Sequence, residues 1–201
     1  VKAAVPAEQS HSARLMKSIA SLLNSAGCKV SDLSAMVVVT GPGSFTGLRI
    51  AIACAKGMAV ALQIPVVGVN LFEVAAYKLA GESDKIQILL PFKKDAFFAA
   101  WIERGKLEEL SISAMTSDEI NKQSNGSMIA IVGEAGHSQQ LSDQSRLLDQ
   151  TRSDYDASDI IHLGLEKLKK NQIPELAQLE PMYIQKSQAE INLEKRQNRK
   201  D

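Results

Sequence analysis

The stretch "VVVTGPGSFTGLRIAIACAKGMAVAL", Val37 to Leu62, decides the fold. Met36 to Thr40 is a β-branched run without polar alternation, the pattern of a short strand covered on both faces. Gly41 to Phe45 follows as a turn-rich loop. Thr46 to Leu62 is helical by length and composition and stops at Ile64-Pro65, where an apolar strand, Pro65 to Val69, begins. Upstream, Ser10 to Ala26 places Leu15, Ile19, Leu22 and Ala26 at helical spacing between Ser10 as N-cap and Gly27 as left-handed cap. Downstream, Leu71 to Ala80 reads as a short helix ending at Gly81. The order strand, helix, strand, helix implies parallel pairing with helices on the sheet faces.

After Gly81 the pattern changes. Ile86 to Leu90, Ala96 to Ile102 and Leu107 to Ser113 are strand-like runs with charged turns between them, a meander. Ser117 to Gln123 reads as a helix with Ser117 and Asp118 near its start, and Met128 to Gly133 as a buried strand. Asp156 to Lys170 is a helix with Ile160, Leu163 or Gly164, Leu165 and Leu168 inward and Lys167, Lys169 and Lys170 near its C-terminal dipole. Glu190 to Asp201 is a solvated, charged tail. The division expected is an N-terminal α/β lobe over 1–81, a C-terminal α/β lobe over 82–189, and the tail over 190–201.

With 201 residues and 45% hydrophobic side chains the chain is long enough to bury a core. Its 23 basic and 23 acidic residues cancel, so no global field favours nucleic acid or an anionic membrane. Cys28 and Cys54 lack the C-x-x-C spacing of zinc or redox sites, which suits a reducing cytosol. The longest apolar stretch, Ile50 to Val69, is broken by Lys56, Gln63 and Pro65, against a membrane span. No signal peptide is visible, and the expected location is cytoplasmic.

The loop fits none of the standard catalytic or nucleotide motifs well. Counting four intervening residues from Gly43 reaches Leu48, and from Gly41 reaches Thr46, not the glycine of a Walker A loop, and Gly41-Pro42-Gly43-Ser44-Phe45-Thr46 puts threonine where a dinucleotide fingerprint needs its third glycine. Ser44 is flanked by Pro42 and Thr46 rather than by the glycines of a nucleophile elbow. Two readings remain: a joint in which Ser44 or Thr46 caps the helix, or free amides that hold an anion. His11, His137 and His162 show no paired metal spacing, and Glu73, Glu134 and Asp156 stand near element ends without forming a catalytic pair.

The helix after the loop is more informative. Gly47, Ala51, Ala55 and Ala59 form one i, i+4 row, and Ile50, Cys54, Gly57 and Ala61 a second, mostly small one; Arg49 and Lys56 are its only charges. Small rows let backbones approach closely. Such a helix is either an internal core helix on the sheet or a docking helix that joins a second protein's helices.

Three segments, "HSARLMKSIASLLNSAG", the long run from Asp32 to Ala76, and the late "LEPMYIQKSQAE", resemble the bacterial TsaB (YeaZ) family over most of residues 10 to 190. The motif Gly41-Pro42-Gly43-Ser44-Phe45-Thr46-Gly47-Leu48-Arg49 carries most of the resemblance. It implies an actin-like, Hsp70-like ATPase (ASKHA) fold in two lobes and an accessory, non-catalytic role in making N6-threonylcarbamoyladenosine at position 37 of ANN-decoding tRNAs. It also implies the partners: a TsaD homologue, which carries the metal-binding histidines, and a TsaE homologue, the associated ATPase. A homodimer is possible, and tRNA is met only through the complex. No cofactor is expected to bind tightly, since ATP is used by the partner subunits.

By the same resemblance the partner-facing residues are His11, Leu15, Ile19 and Leu22 on one helix and Gly47, Ile50, Ala51, Cys54, Ala55 and Met58 on the other. Gly41, Pro42, Gly43, Ser44, Thr46 and Arg49 form the loop and helix joint. Two departures stand out. Relatives begin with an apolar strand and an acidic-Thr-Ser turn that nothing before Val1 supplies, so the first strands are expected to be missing and the edge of Met36 to Thr40 open. Where relatives show an Asp-Ala-Arg-like turn, this chain has Pro91-Phe92-Lys93-Lys94, which argues against nucleotide binding. The competing readings are a glycoprotease-like hydrolase or actin-fold kinase, and a homodimeric interaction module.

Overall fold

The structure is a computed structural model that describes residues 2, 11–103, 110–123, 127–133, 141, 146–148 and 154–184. The tail from 190, Glu134, His137 and the beginning of the run expected at Leu107 lie outside the described residues. In chain order the elements are α1 (His11–Ser25), β1 (Met36–Gly41), α2 (Phe45–Leu62), β2 (Val66–Asn70), α3 (Leu71–Lys78), β3 (Lys85–Lys93) and β4 (Ala96–Glu103). They continue as β5 (Ile112–Thr116), α4 (Ser117–Gln123), β6 (Met128–Ile131), β7 (Arg146–Leu147) and α5 (Ala157–Lys169). The third strand-like run is therefore displaced toward the C-terminus, because Thr116 and Glu119 build a reciprocal cap that ends β5 at Thr116.

The described residues fall into two compact units, one within Val1–Leu71 and Asp156–Met182, the other within Phe72–Tyr155 and Tyr183–Asp201. Residues 156–182, expected with the second lobe, pack with the first unit. There β1 and β2 pair in parallel, Met36 opposite Val66 and Val38 opposite Gly68. Strand alternation sends Met36 and Val38 to the face covered by α2, where Val38, Ile52, Ala55, Ala59, Val66 and Leu179 form the core. Val37 goes to the other face and meets α5 at Gly164. Both faces of β1 are thus covered, as its unbroken β-branched run predicts. Among the described residues β1 has β2 as its one strand neighbour.

Leu165, expected inward on α5, is 44% exposed, and Gly164 is the buried position. A Cβ at residue 164 would stand 2.3 Å from Val37 Cγ2, so the helix sits closer to the strand than any larger residue permits. That close approach, rather than a leucine stripe, is how α5 seats.

The second unit carries a five-stranded sheet in the order β5-β4-β3-β6-β7. β3 and β4 form an antiparallel hairpin turning at Asp95, β5 extends it, and β6 pairs with β3 in parallel. One sheet face and α4 enclose Leu89, Phe97, Met115, Ile120, Ile129 and Ile131.

Candidate functional site

The joint between β1 and α2 is built by a capped helix start and a strap from the far end of the chain. Gly41 ends β1 at φ 141°, a conformation glycine tolerates, and the Gly41–Pro42 bond is cis. Ser44 is the N-cap: its Oγ accepts from Gly47 N at 3.2 Å, and its carbonyl accepts from Leu48 N at 2.8 Å. Of the two readings of the loop, the cap is the one that the described atoms form. Arg49 lays its guanidinium 3.9 Å over the Phe45 ring.

The strap is the late segment around Leu179. Lys56 of α2 donates to Ala177 O at 3.3 Å, Leu179 is 3% exposed in the core, and Met182 N donates to Thr40 O at 2.8 Å. Gly68 and Gly41 make room for it. A Cβ at residue 68 would stand 2.6 Å from Leu179 Cδ1, and one at residue 41 would stand 3.0 Å from Met182 O. Gly68, Leu179 and Met182 were not among the residues expected to shape the joint. Leu179 and Met182 lie in the late segment "LEPMYIQKSQAE", and Leu176, Leu179 and Met182 recur at three-residue spacing, whereas Gly68 carries no local signal.

The two helices present their residues unequally. Leu15, Ile19 and Leu22 are half-buried on α1, which packs along α2; His11 begins α1 and its side chain lies outside the described atoms. On α2, Gly47, Ile50, Cys54 and Met58 are half-buried and Ala51 packs against the unit's own core. Ala55 is only 8% exposed and sits in that core, so the structure removes it from any surface offered to a partner. The reason is the helical period: Leu48, Ile52, Ala55 and Ala59 form the stripe that rests on the sheet. Roughly opposite, Ala53, Gly57 and Ala61 form an exposed i, i+4 row, flanked by Val60 at 68% exposure.

Only 22% of this 18-residue helix is buried, and it alone among the described helices has the length and apolar composition of a membrane span. Its sheet contact accounts for one stripe, the half-buried residues flank it, and the row through Ala53, Gly57 and Ala61 stays open. Tyr77 and Glu73 belong to the other unit.

Among the described residues no three His, Cys, Asp or Glu side chains come together as a metal site. His162 is exposed on α5, and Cys28 and Cys54 are free thiols, exposed and half-buried. Asp156 caps α5, accepting from Ser158 N at 2.6 Å and Asp159 N at 3.3 Å, and pairs with Lys2. The hydrogen bond from Lys2, then that from Ser158 N, holds its carboxyl at a pKa of about 2, below the ordinary 3.8. Its role is structural.

Residues 5–92 match the family model described as tRNA N6-adenosine threonylcarbamoyltransferase (TsaD). The tRNA threonylcarbamoyladenosine biosynthesis protein TsaB of Bacillus subtilis is 44% identical over 69 residues, covering 34% of this chain and 30% of that protein. The protein of the same name from Escherichia coli is 37% identical over 60 residues, 30% of this chain and 26% of that protein. The chain thus spans less than a third of the length of these two relatives. A Pseudomonas aeruginosa crystal structure, titled an uncharacterized protein with similarity to peptidase YEAZ, superposes with a TM-score of 0.67 at 23% identity. That likeness covers 88% of this chain and 85% of the other, and it is a likeness of fold.

Proposed function

Because the chain is a member of the TsaB/YeaZ family, we propose that it is a non-catalytic accessory subunit of the tRNA threonylcarbamoyladenosine machinery, binding and activating a TsaD homologue. Its place is the cytoplasm, its two units are the lobes of an actin-like fold, and ATP and the TsaE homologue serve the reaction through the complex. Transfer of the threonylcarbamoyl group to tRNA belongs to the partner.

The observation that carries this reading is the open face of α2. The row Ala53, Gly57, Ala61 has no side chain bulk to hold another helix away, and a Cβ at Gly57 meets nothing within 4 Å. Helices that pack through small residues bring their backbones close and gain dispersion contact along the whole seam. The half-buried Ile50, Cys54 and Met58 lie on the adjoining face of α2 and widen the seam. A helix pair from TsaD would complete a bundle there.

The test is reconstitution of the modification from TsaD and TsaE homologues, ATP, threonylcarbamoyl-AMP and tRNA, with and without this chain. Product formation should fall when the chain is left out; an undiminished yield overturns the proposal. The surface is tested with Gly57→Arg, which places a long charged side chain in the seam while leaving the sheet contact intact. It should weaken association with TsaD at least tenfold, and association that survives it in the folded variant refutes this face. Ala55→Arg is unsuitable, since it would disrupt the unit's own core. Pairing of two copies through the same face would appear as a concentration-dependent mass that Gly57→Arg abolishes.

A further inference from the structure

The register of the second unit's sheet brings a glutamine and a methionine together on one face. Gln87 of β3 lies opposite Trp101 of β4, Met115 of β5 lies opposite Phe97 of β4, and Ala99 stands between Trp101 and Phe97 on the same side. Alanine leaves space there, and the two long side chains meet: Gln87 Nε2 donates to Met115 Sδ at 3.9 Å.

Gln87 is fully buried, and its Oε1 has no hydrogen-bond partner among the described residues. Sulfur is a weak acceptor, so both ends of this amide are poorly satisfied. Leucine or methionine would fill a similar volume without that cost, and a buried polar group kept against it marks a place where more than packing is at stake.

Met115 is only 9% exposed, yet it lines a cavity of about 420 Å³ beside α4 whose walls include the exposed Ser113, Ala114, Glu119 and Gln123. It thus borders solvent-connected space while its sulfur meets the Gln87 amide. The chemistry open to a thioether in that position is oxidation. As hydrogen peroxide attacks, the S–O bond forms while the O–O bond breaks, sulfur gives up two electrons, and the second oxygen leaves as water with both protons. In most cores the new oxygen finds no donor and disrupts the packing. Here an oxygen on Sδ that accepts from Nε2 at about 2.9 Å, with a bent angle at the oxygen, fits the separation already present. The same N–H faces the negative charge that grows on the oxygen during its transfer.

We propose that Met115 is a site of reversible oxidation by hydroperoxides, its sulfoxide held by Gln87. The test exposes the folded full chain to hydrogen peroxide and times the oxidation of each of the six methionines by peptide mass spectrometry. Burial alone makes Met115 the slowest, since Met16 is exposed and the other four are half-buried. Met115 is expected instead to react at least threefold faster than Met128 of the same unit. One sulfoxide epimer should predominate, so that one of the two epimer-specific methionine sulfoxide reductases restores most of the thioether. Gln87→Leu and Gln87→Met should each slow Met115 at least threefold relative to Met128, whereas a loosened core would speed both. Met115 reacting slowest of the six, equal amounts of the two epimers, or an unchanged relative rate in either variant overturns the proposal. The first two of these are read on the parent chain and need no variant to fold.

Discussion

At Gly164 a hydrogen atom is all that the first sheet leaves room for. The Cβ of alanine would lie within 3.0 Å of three Val37 side-chain atoms, and valine, branched at Cβ on a strand, has no flexible end to move aside. Gly164→Ala should cost about 1–3 kcal/mol by urea denaturation, with Val37→Ala in the same chain recovering part of it. An alanine variant as stable as the parent would show that α5 is free to lift. Gln63 poses the opposite case: it closes α2 in the left-handed region, at φ 54° and ψ 42°, where a side chain is strained. Gln63→Gly should raise stability by about 0.5 kcal/mol, read as a shift of the urea midpoint at constant slope.

At the scale of elements, helix ends decide how well each helix is held. Ser44→Ala removes the cap of α2 and should cost about 1 kcal/mol, whereas Ser44→Gly should cost only a few tenths. Thermal unfolding of the two variants separates them, and equal losses would mean that the hydroxyl is not the cap. The start of α5 depends on pH. Asp156 ionises at about 2 in the folded chain against an ordinary 3.8. A depressed carboxyl contributes stability above its unfolded pKa and loses it as pH falls through the folded one, so the window is roughly pH 4 down to pH 2. Helicity should decline across that window and Asp156→Ala should flatten the decline, as circular dichroism would record.

The elements also show what a pattern can and cannot say. The β-branched run of β1 announces a strand covered on both faces, and both are covered. The small rows of α2 announce close packing without naming the neighbour. With 3.6 residues per turn, alanine and glycine in so small-residue-rich a helix fall on several faces at once. Ala55 and Gly57 are two residues apart and look alike in sequence, yet one lies in the unit's own core and the other is open. Leu165 misled for a related reason: hydrophobicity marks a residue as able to be buried, while steric fit at Gly164 decides which side of α5 meets the strand.

Over the whole molecule, the first unit is closed by residues more than a hundred positions away from its strands. Leu179 fills the space above Gly68, and Met182 bonds to Thr40. Leu179→Ala should therefore cost about 2–4 kcal/mol, as for other buried leucines, with the loss read by urea denaturation. A loss under 1 kcal/mol would mean that the strap is a passive tail.

The strands, the helices and the loop that joins β1 to α2 follow from short-range preferences, glycine and proline at turns and branched residues in covered strands, and these belong to the chain taken alone. Where the strap lies and which stripe of α2 is sealed were settled by the folded arrangement. Close packing is a contest for the same space among segments far apart in order, and no local preference encodes its outcome.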